Sequence, residues 1–76
     1  MKKIIITGVA GLIGSRMAEW ILANHPDTQI IGIDDLSGGY QDHIPKGVIF
    51  HQLDISKDDI SALFKDVQIV YHFAAY

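Results

Sequence analysis

The sequence has no cysteine, only two prolines and no run of basic residues. Without cysteine the chain has no disulfide framework, no zinc–thiolate site and no thiol nucleophile, and we expect a reducing compartment, the cytoplasm. The six basic and nine acidic residues are scattered, giving a net charge of −3. Composition therefore gives no reason to expect nucleic acid or an anionic membrane as a partner.

The apolar N-terminus is the segment most similar to a targeting signal. Two lysines precede an apolar run to Ile13, but glycines interrupt that run, Arg16 follows it, and no A-x-A-like cleavage site is present. No stretch approaches the roughly 20 apolar residues that a membrane-spanning helix requires. The segment predicts a buried first strand, and we expect no membrane partner.

Hydrophobic periodicity changes twice within the first 34 residues. Ile4–Thr7 is a β-branched run without polar alternation, typical of a strand covered on both faces. Gln29–Asp34 is apolar and extended in the same way. Between them, up to Pro26, apolar residues recur at helical spacing and predict a core-facing side: Ile13, Met17, Trp20 and Ile21. The order strand, glycine turn, helix, strand is a βαβ unit.

The second half of the chain continues the alternation. Ser37–Gly47 shows no helical period and is predicted to be a loop, and Val48–Leu53 is predicted to be a third strand. Ser56–Asp59 has the capping-box pattern that opens a helix, and Val67–Phe73 predicts a fourth strand. The apolar side of this second helix comprises Ile60, Leu63 and Phe64.

Alternating strands and helices predict an α/β fold with a parallel sheet and right-handed crossovers. The chain returns past the first strand to place the fourth, so the second helix lies on the sheet face opposite the first helix. The predicted strand order is 3-2-1-4, the N-terminal part of a doubly wound (Rossmann) sheet.

Thr7–Gly14 (TGVAGLIG) places three glycines between a strand and a helix, the context of a phosphate-binding turn. Gly8 permits a sharp turn, Gly11 lets backbone amides approach a pyrophosphate, and Gly14 permits close packing of the helix. The helix N-terminus adds unpaired N–H groups and partial positive charge. The spacing is G-x-x-G-x-x-G rather than G-x-G-x-x-G, and no Gly-Lys-Ser/Thr follows to make it a Walker A loop.

An acidic residue ends the second strand. Asp34 follows Gly14 by 20 residues, where a carboxylate binds the ribose 2′-hydroxyl of NAD and repels the 2′-phosphate of NADP. Asp35 leaves the assignment open, because one of the two acids is expected to face the ribose and the other to face solvent. We expect Asp34 to be the ribose ligand. A glycine turn without a ligand is the alternative, disfavoured by the combination of turn and carboxylate.

Four segments resemble the extended short-chain dehydrogenase/reductase family, particularly its NAD-dependent nucleotide-sugar epimerases and dehydratases. They span essentially the whole chain in the order found in the family. Asp35 stands where the family usually has Asn. The segments are Thr7-Gly8-x-x-Gly11-x-x-Gly14, Asp34-Asp35-Leu36-Ser37-Gly38-Gly39, Leu53-Asp54-Ile55 and His72-Phe73-Ala74-Ala75.

The resemblance implies NAD as the cofactor and a nucleotide sugar as the substrate of the parent enzyme. It also implies which positions contact each part of the cofactor. These are Gly8, Gly11, Leu12, Ile13 and Gly14 at the pyrophosphate, Asp34, Asp35, Ser37 and Gly38 around the ribose, Asp54 and Ile55 at adenine, and Phe73, Ala74 and Ala75 under adenosine and towards nicotinamide.

The catalytic Tyr-x-x-x-Lys pair of that family is absent. None of Tyr40, Tyr71 and Tyr76 has a lysine four positions later, so no residue is assigned to acid–base catalysis. We expect residues 1–76 to be part of an NAD-binding domain, with the rest of that domain and the substrate domain absent, and to be inactive alone. The alternatives are a stand-alone nucleotide-binding or regulatory module, and a remnant that binds nothing.

Two further expectations concern metals and association. His51 and Asp54 could suggest a metal pair, but three residues apart on a strand they face opposite sides, so we predict no metal site. An apolar fourth strand left at the edge of the sheet predicts that the isolated chain self-associates or is poorly stable.

Overall fold

The computed structural model describes residues 2–55, 57 and 61–73. Its four strands form one parallel sheet in the order β3-β2-β1-β4, which confirms the predicted fold class and strand order. The elements in chain order are β1 (Lys2–Thr7), α1 (Leu12–Asn24), β2 (Thr28–Asp34), a first 3-10 turn (Gln41–His43), β3 (Val48–Gln52), a second 3-10 turn (Ser61–Phe64) and β4 (Ile69–His72).

The central strand β1 supplies both faces of the core. Ile4 and Ile6 belong to the cluster that includes Ile21 of α1, whereas Ile5 belongs to a separate cluster on the other face. Successive strand residues face opposite sides, so a strand buried on both faces is apolar throughout. Leu63 packs against the Ile5 cluster, so the segment after β3 lies opposite α1, as the crossover rule predicted.

The apolar side predicted for α1 is wrong for two of its four residues. Ile13 and Trp20 are 66% and 57% exposed, whereas Met17 is half-buried and Ile21 is buried. Trp20, expected in the core, instead packs beside the ring of His25, with 5.5 Å between the ring centroids. Small residues bring this helix close to the sheet, and the buried side is Gly14, Ser15, Ala18 and Ile21.

The other predicted elements are correct in place but not in length. β3 ends one residue earlier than predicted, and β4 lacks residues 67, 68 and 73 of the predicted strand. Of the predicted second helix, the structure describes one 3-10 turn; Ser56 and residues 58–60, which carry the capping box, lie outside the described residues. Phe64, predicted to be apolar and inward, is 38% exposed. No helix among the described residues is long and apolar enough to cross a membrane.

Candidate functional site

The glycine turn begins directly after β1 with a residue in the left-handed conformation, and it is hydrogen-bonded to the end of β2. Gly8 has φ 73°, which glycine adopts without the steric cost of a Cβ. Its N–H donates to the Ile33 carbonyl oxygen at 2.8 Å, and the Gly11 N–H donates back to the Gly8 carbonyl oxygen at 3.0 Å. The turn is therefore a closed, hydrogen-bonded unit at the carboxyl end of the central strands.

Gly14 allows the helix to rest on this turn. A Cβ at this position would overlap the Gly8 carbonyl oxygen and would lie 2.9 Å from the Gly8 carbonyl carbon. Both atoms are backbone, so neither can move aside as a flexible side chain would. The close packing predicted for Gly14 is present, and its partner is the turn itself.

The N-terminus of α1 presents amides that the helix cannot satisfy. Gly11 is the N-cap, with no side-chain capping bond and no acidic residue in the first turn. The first bond of the helical ladder joins the Ser15 N–H to the Gly11 carbonyl oxygen at 3.0 Å. The N–H groups of Leu12 and Ile13 precede it and have no intrahelical acceptor. With the positive end of the helix dipole, this arrangement suits an anion.

Asp34 connects the end of β2 to the glycine turn. One carboxylate oxygen accepts a hydrogen bond from the Ala10 N–H at 2.9 Å, and the other accepts from the Leu36 N–H at 2.8 Å. An ionised carboxylate offers about four acceptor positions, so two stay available for other donors. Asp34 thus links the end of β2 to the glycine turn and keeps acceptor positions for a ligand in the cleft that it lines.

Asp35 differs from Asp34 in its partners rather than in its exposure. One of its oxygens accepts from the Ser37 N–H at 2.9 Å and from the Ser37 hydroxyl at 2.7 Å. Both acids are half-buried and line the same open cleft, so the assignment of Asp34 rather than Asp35 to the ribose stays a prediction. Asp34 is bonded to the glycine turn through the Ala10 N–H.

An open cleft of about 240 Å³ joins these groups at the carboxyl ends of the strands. Its walls come from the last residues of β2 and from the segments that follow all four strands, beside β1 and β4, where the strand order reverses. Ligands of open α/β sheets bind at this place. The lining residues are Gly8, Gly11, Ile33, Asp34, Asp35, Ser37, Gly38, Leu53, Ile55 and Phe73.

The cleft brings together most of the residues predicted for the site. Leu12 and Ile13 lie at the start of α1 with exposed side chains, and Gly14 is buried behind the turn. Asp54 follows the lining residue Leu53 but is not itself part of the lining. Ala74 and Ala75 lie outside the described residues.

Two lining residues, Ile33 and Leu53, were missed by sequence reasoning. Each directly precedes a predicted aspartate at the end of a strand. The signal that could have identified them is an apolar residue directly before the aspartate. A binding role was predicted for the aspartate and none for the apolar residue before it.

His72 is held at the end of β4 by a hydrogen bond. Its Nδ1 lies 2.7 Å from the hydroxyl oxygen of Thr7 on the neighbouring strand β1. The side chain of His72 therefore links β4 to β1 at the carboxyl ends of these strands. In the part of the chain that the structure describes, no group of three histidine or acidic residues is placed to hold a metal ion.

Comparison with known proteins gives a family match over nearly the whole chain. The model of a family described as NAD-dependent epimerase/dehydratase matches residues 4–76. A putative UDP-glucose 4-epimerase of Methanocaldococcus jannaschii is 36% identical over 74 residues, which cover 95% of this chain and 24% of that protein.

Solved structures agree with this match. The dTDP-glucose 4,6-dehydratase of Bacillus anthracis, in complex with NAD, has a TM-score of 0.89 and 27% identity, and the match covers 100% of this chain and 27% of that one. The UDP-glucose 4-epimerase of Thermotoga maritima, with UDP-glucose, has a TM-score of 0.87 and 28% identity over 96% of this chain and 24% of that one. The chain spans about a quarter of the length of these relatives.

Proposed function

This chain belongs to the NAD-dependent epimerase/dehydratase family, and from that membership we propose that its cleft binds the adenosine diphosphate half of NAD. The observation that carries the proposal is the position of Asp34. Its carboxylate lines the cleft while it is bonded to the glycine turn. A ribose acceptor and a phosphate-binding turn thus lie side by side.

The phosphate end of the cleft fits a pyrophosphate by the chemistry of its donors. The amides of Leu12 and Ile13 have no intrahelical acceptor, and the first turn of α1 carries no acidic side chain to repel an anion. Gly11 lines the cleft without a side chain in front of these amides. We assign the pyrophosphate to this place.

The adenosine end fits a ribose and an apolar ring. The two unused acceptor positions of Asp34 suit the two ribose hydroxyls, which are donors. Ile33, Leu53 and Ile55 add apolar surface beside it, and we assign adenine to that wall, with Ser37 and Gly38 flanking the ribose.

We propose that the whole protein is a nucleotide-sugar epimerase or dehydratase. Bound NAD supplies a hydride acceptor in such enzymes. The 76 residues contain no Tyr-x-x-x-Lys pair, so they supply no acid–base group for that chemistry. We therefore expect this chain to hold the cofactor and to be inactive alone.

We propose further that the isolated chain self-associates through β4. Among the described residues this strand pairs only with β1. Ile69 and Val70 of this strand are 43% and 44% exposed, on opposite faces of the sheet. An apolar strand edge with unpaired backbone groups is a template for pairing with another chain.

Calorimetric titration with NAD and NADP tests the cofactor assignment. We expect NAD to bind at least about tenfold more tightly than NADP, because the Asp34 carboxylate repels a 2′-phosphate. Asp34→Asn removes the charge and is expected to weaken NAD binding by about 10- to 100-fold, the range for hydrogen bonds to a charged group.

Asp42→Asn is the matched control for the loss of one negative charge. Asp42 is exposed on the first 3-10 turn, outside the proposed binding residues, and we expect NAD binding to be unchanged. Equal loss in both variants, or no NAD binding by a folded wild-type chain, contradicts the assignment.

A further inference from the structure

A single residue in the middle of the glycine turn, Ala10, forms its backbone hydrogen bonds with a distant segment of the chain. Ala10 is fully buried, and its N–H donates to Asp34. Its carbonyl oxygen accepts from the Tyr40 N–H at 3.2 Å and lies 3.3 Å from Nδ1 of His43. The residue at the centre of the turn is therefore held on both sides by residues 34–43.

The segment also touches the turn directly at Gly39. A Cβ there would overlap the Ala10 carbonyl oxygen and would lie 2.9 Å from the Gly11 nitrogen. The backbone of residue 39 therefore rests on the peptide that joins Ala10 to Gly11. Only a residue without a side chain can approach two backbone atoms this closely.

The His43 ring is oriented as a donor to this peptide. A carbonyl oxygen only accepts, so Nδ1 must carry the hydrogen in this contact. The ring of Tyr40 meets the His43 ring edge-on, with 5.4 Å between centroids and 76° between planes. The His43 N–H also donates to the Tyr40 carbonyl oxygen at 3.0 Å, which closes the 3-10 turn.

Holding the Ala10 carbonyl fixes more than one atom. The peptide between Ala10 and Gly11 is planar, so the direction of its carbonyl sets the direction of the Gly11 N–H. Gly11 is also the N-cap of α1, immediately before the amides assigned to the pyrophosphate. A turn held in one arrangement before binding loses less conformational freedom when the ligand arrives.

We propose that Gly39, Tyr40 and His43 form a clamp on the peptide between Ala10 and Gly11 and that His43 is a positioning residue for pyrophosphate binding. The inference rests on the proposed function, because it concerns how the same turn is held. It predicts that loss of the His43 donor weakens binding of ligands that contain the pyrophosphate and spares adenosine, which lacks it.

Two substitutions test the hydrogen-bond donor and the ring of His43 separately. His43→Asn keeps a donor at the same place and loses the ring, because the amide nitrogen of an asparagine side chain is bonded to Cγ, as Nδ1 of histidine is. His43→Phe keeps the ring beside Tyr40 and loses the donor. Gln41→Ala, which truncates an exposed side chain on the same 3-10 turn, is the control.

The test compares ADP-ribose with adenosine by titration. We expect His43→Phe to weaken ADP-ribose binding by roughly three- to tenfold, the range for one neutral hydrogen bond. Adenosine affinity is expected to stay within about twofold, and His43→Asn to restore ADP-ribose binding to within about twofold of wild type. Gln41→Ala is expected to resemble wild type for both ligands.

Failure of the inference is distinguishable from failure of the proposed function. Equal loss of both ligands in His43→Phe, or wild-type affinity for both, overturns the positioning role while ADP-ribose binding by the wild-type chain stands. If the folded wild type binds neither ligand, the proposed function and the positioning role both fail. In that case amide hydrogen exchange tests the clamp without any ligand. Faster exchange of the Tyr40 N–H in His43→Phe than in His43→Asn supports the clamp, and equal exchange rates overturn it.

Discussion

Two adjacent glycines after β2 give a matched pair of substitutions with opposite expected outcomes. A Cβ on Gly38 would meet no heavy atom within 4 Å, whereas a Cβ on Gly39 would meet the backbone of Ala10 and Gly11. Neither glycine has a positive φ, so both backbones accept alanine. The change is chemically the same at both sites, and packing in the folded state is the difference between them.

The expected magnitudes follow from that difference. Replacing glycine by alanine at a compatible site raises the free energy of unfolding by about 0.4–1 kcal/mol, because the unfolded chain loses freedom. Gly38→Ala is expected to show this gain. In Gly39→Ala the gain is offset by overpacking of about 1–3 kcal/mol. The two variants therefore differ in free energy of unfolding by this packing cost, at least about 1 kcal/mol. Because 1 kcal/mol shifts Tm by about 4–8 °C in a domain of this size, Gly39→Ala should melt at least about 4 °C below Gly38→Ala.

Thermal unfolding followed by circular dichroism measures this difference. Both variants are melted at several low protein concentrations, so that association does not enter the comparison. A Gly39→Ala variant that melts at or above Gly38→Ala would refute the reasoning, because the segment after β2 would then not rest on the glycine turn.

Two further predictions concern the core and the sheet edge. Ile5→Ala, at a fully buried position, is expected to lower the free energy of unfolding by about 2–5 kcal/mol in urea titrations. Ile49 is 43% exposed, so Ile49→Ala is expected to lower it by clearly less, and equal losses in the two variants would contradict the assigned core. Val70→Lys is expected to reduce self-association in sedimentation velocity relative to Gln41→Lys, which adds the same charge away from the edge; equal association of the two variants would exclude β4 as the contact.

The strand order could be predicted from the sequence because it depends on general rules of sheet topology and not on individual side-chain contacts. The run Ile4–Thr7 and the stretch Gln29–Asp34 are apolar without alternation, which indicates strands covered on both faces. With parallel strands, right-handed crossovers leave few arrangements, and the observed order is the one predicted. The glycines and Asp34 met at one edge because carboxyl ends of parallel strands share that edge.

The side of α1 that packs on the sheet did not follow from the sequence. Hydrophobic periodicity favours large residues, and it selected Ile13 and Trp20, which are exposed. The helix approaches the turn so closely that a Cβ on Gly14 would overlap backbone, so small residues occupy the contact. A pattern based on hydrophobicity gives glycine and serine little weight, although close approach depends on them.

The clamp on Ala10 was also beyond sequence reasoning. The segment from Ser37 to Gly47 has no period, and its contacts to the turn join residues about 30 positions apart through backbone atoms. Backbone carbonyls and amides have the same chemistry in every residue. Nothing in the side chains of Tyr40 or Gln41 indicates which of them donates its N–H to the turn.

The most direct test of the central claim, that the cleft holds the adenosine diphosphate half of NAD, is nuclear magnetic resonance mapping of backbone amides during NAD titration. We predict shifts that saturate together for Gly8, Gly11, Leu12 and Ser37, with the amide of Asn24 at the far end of α1 unchanged. A folded chain whose amides do not shift at saturating NAD, or shift only around Asn24, would contradict the account.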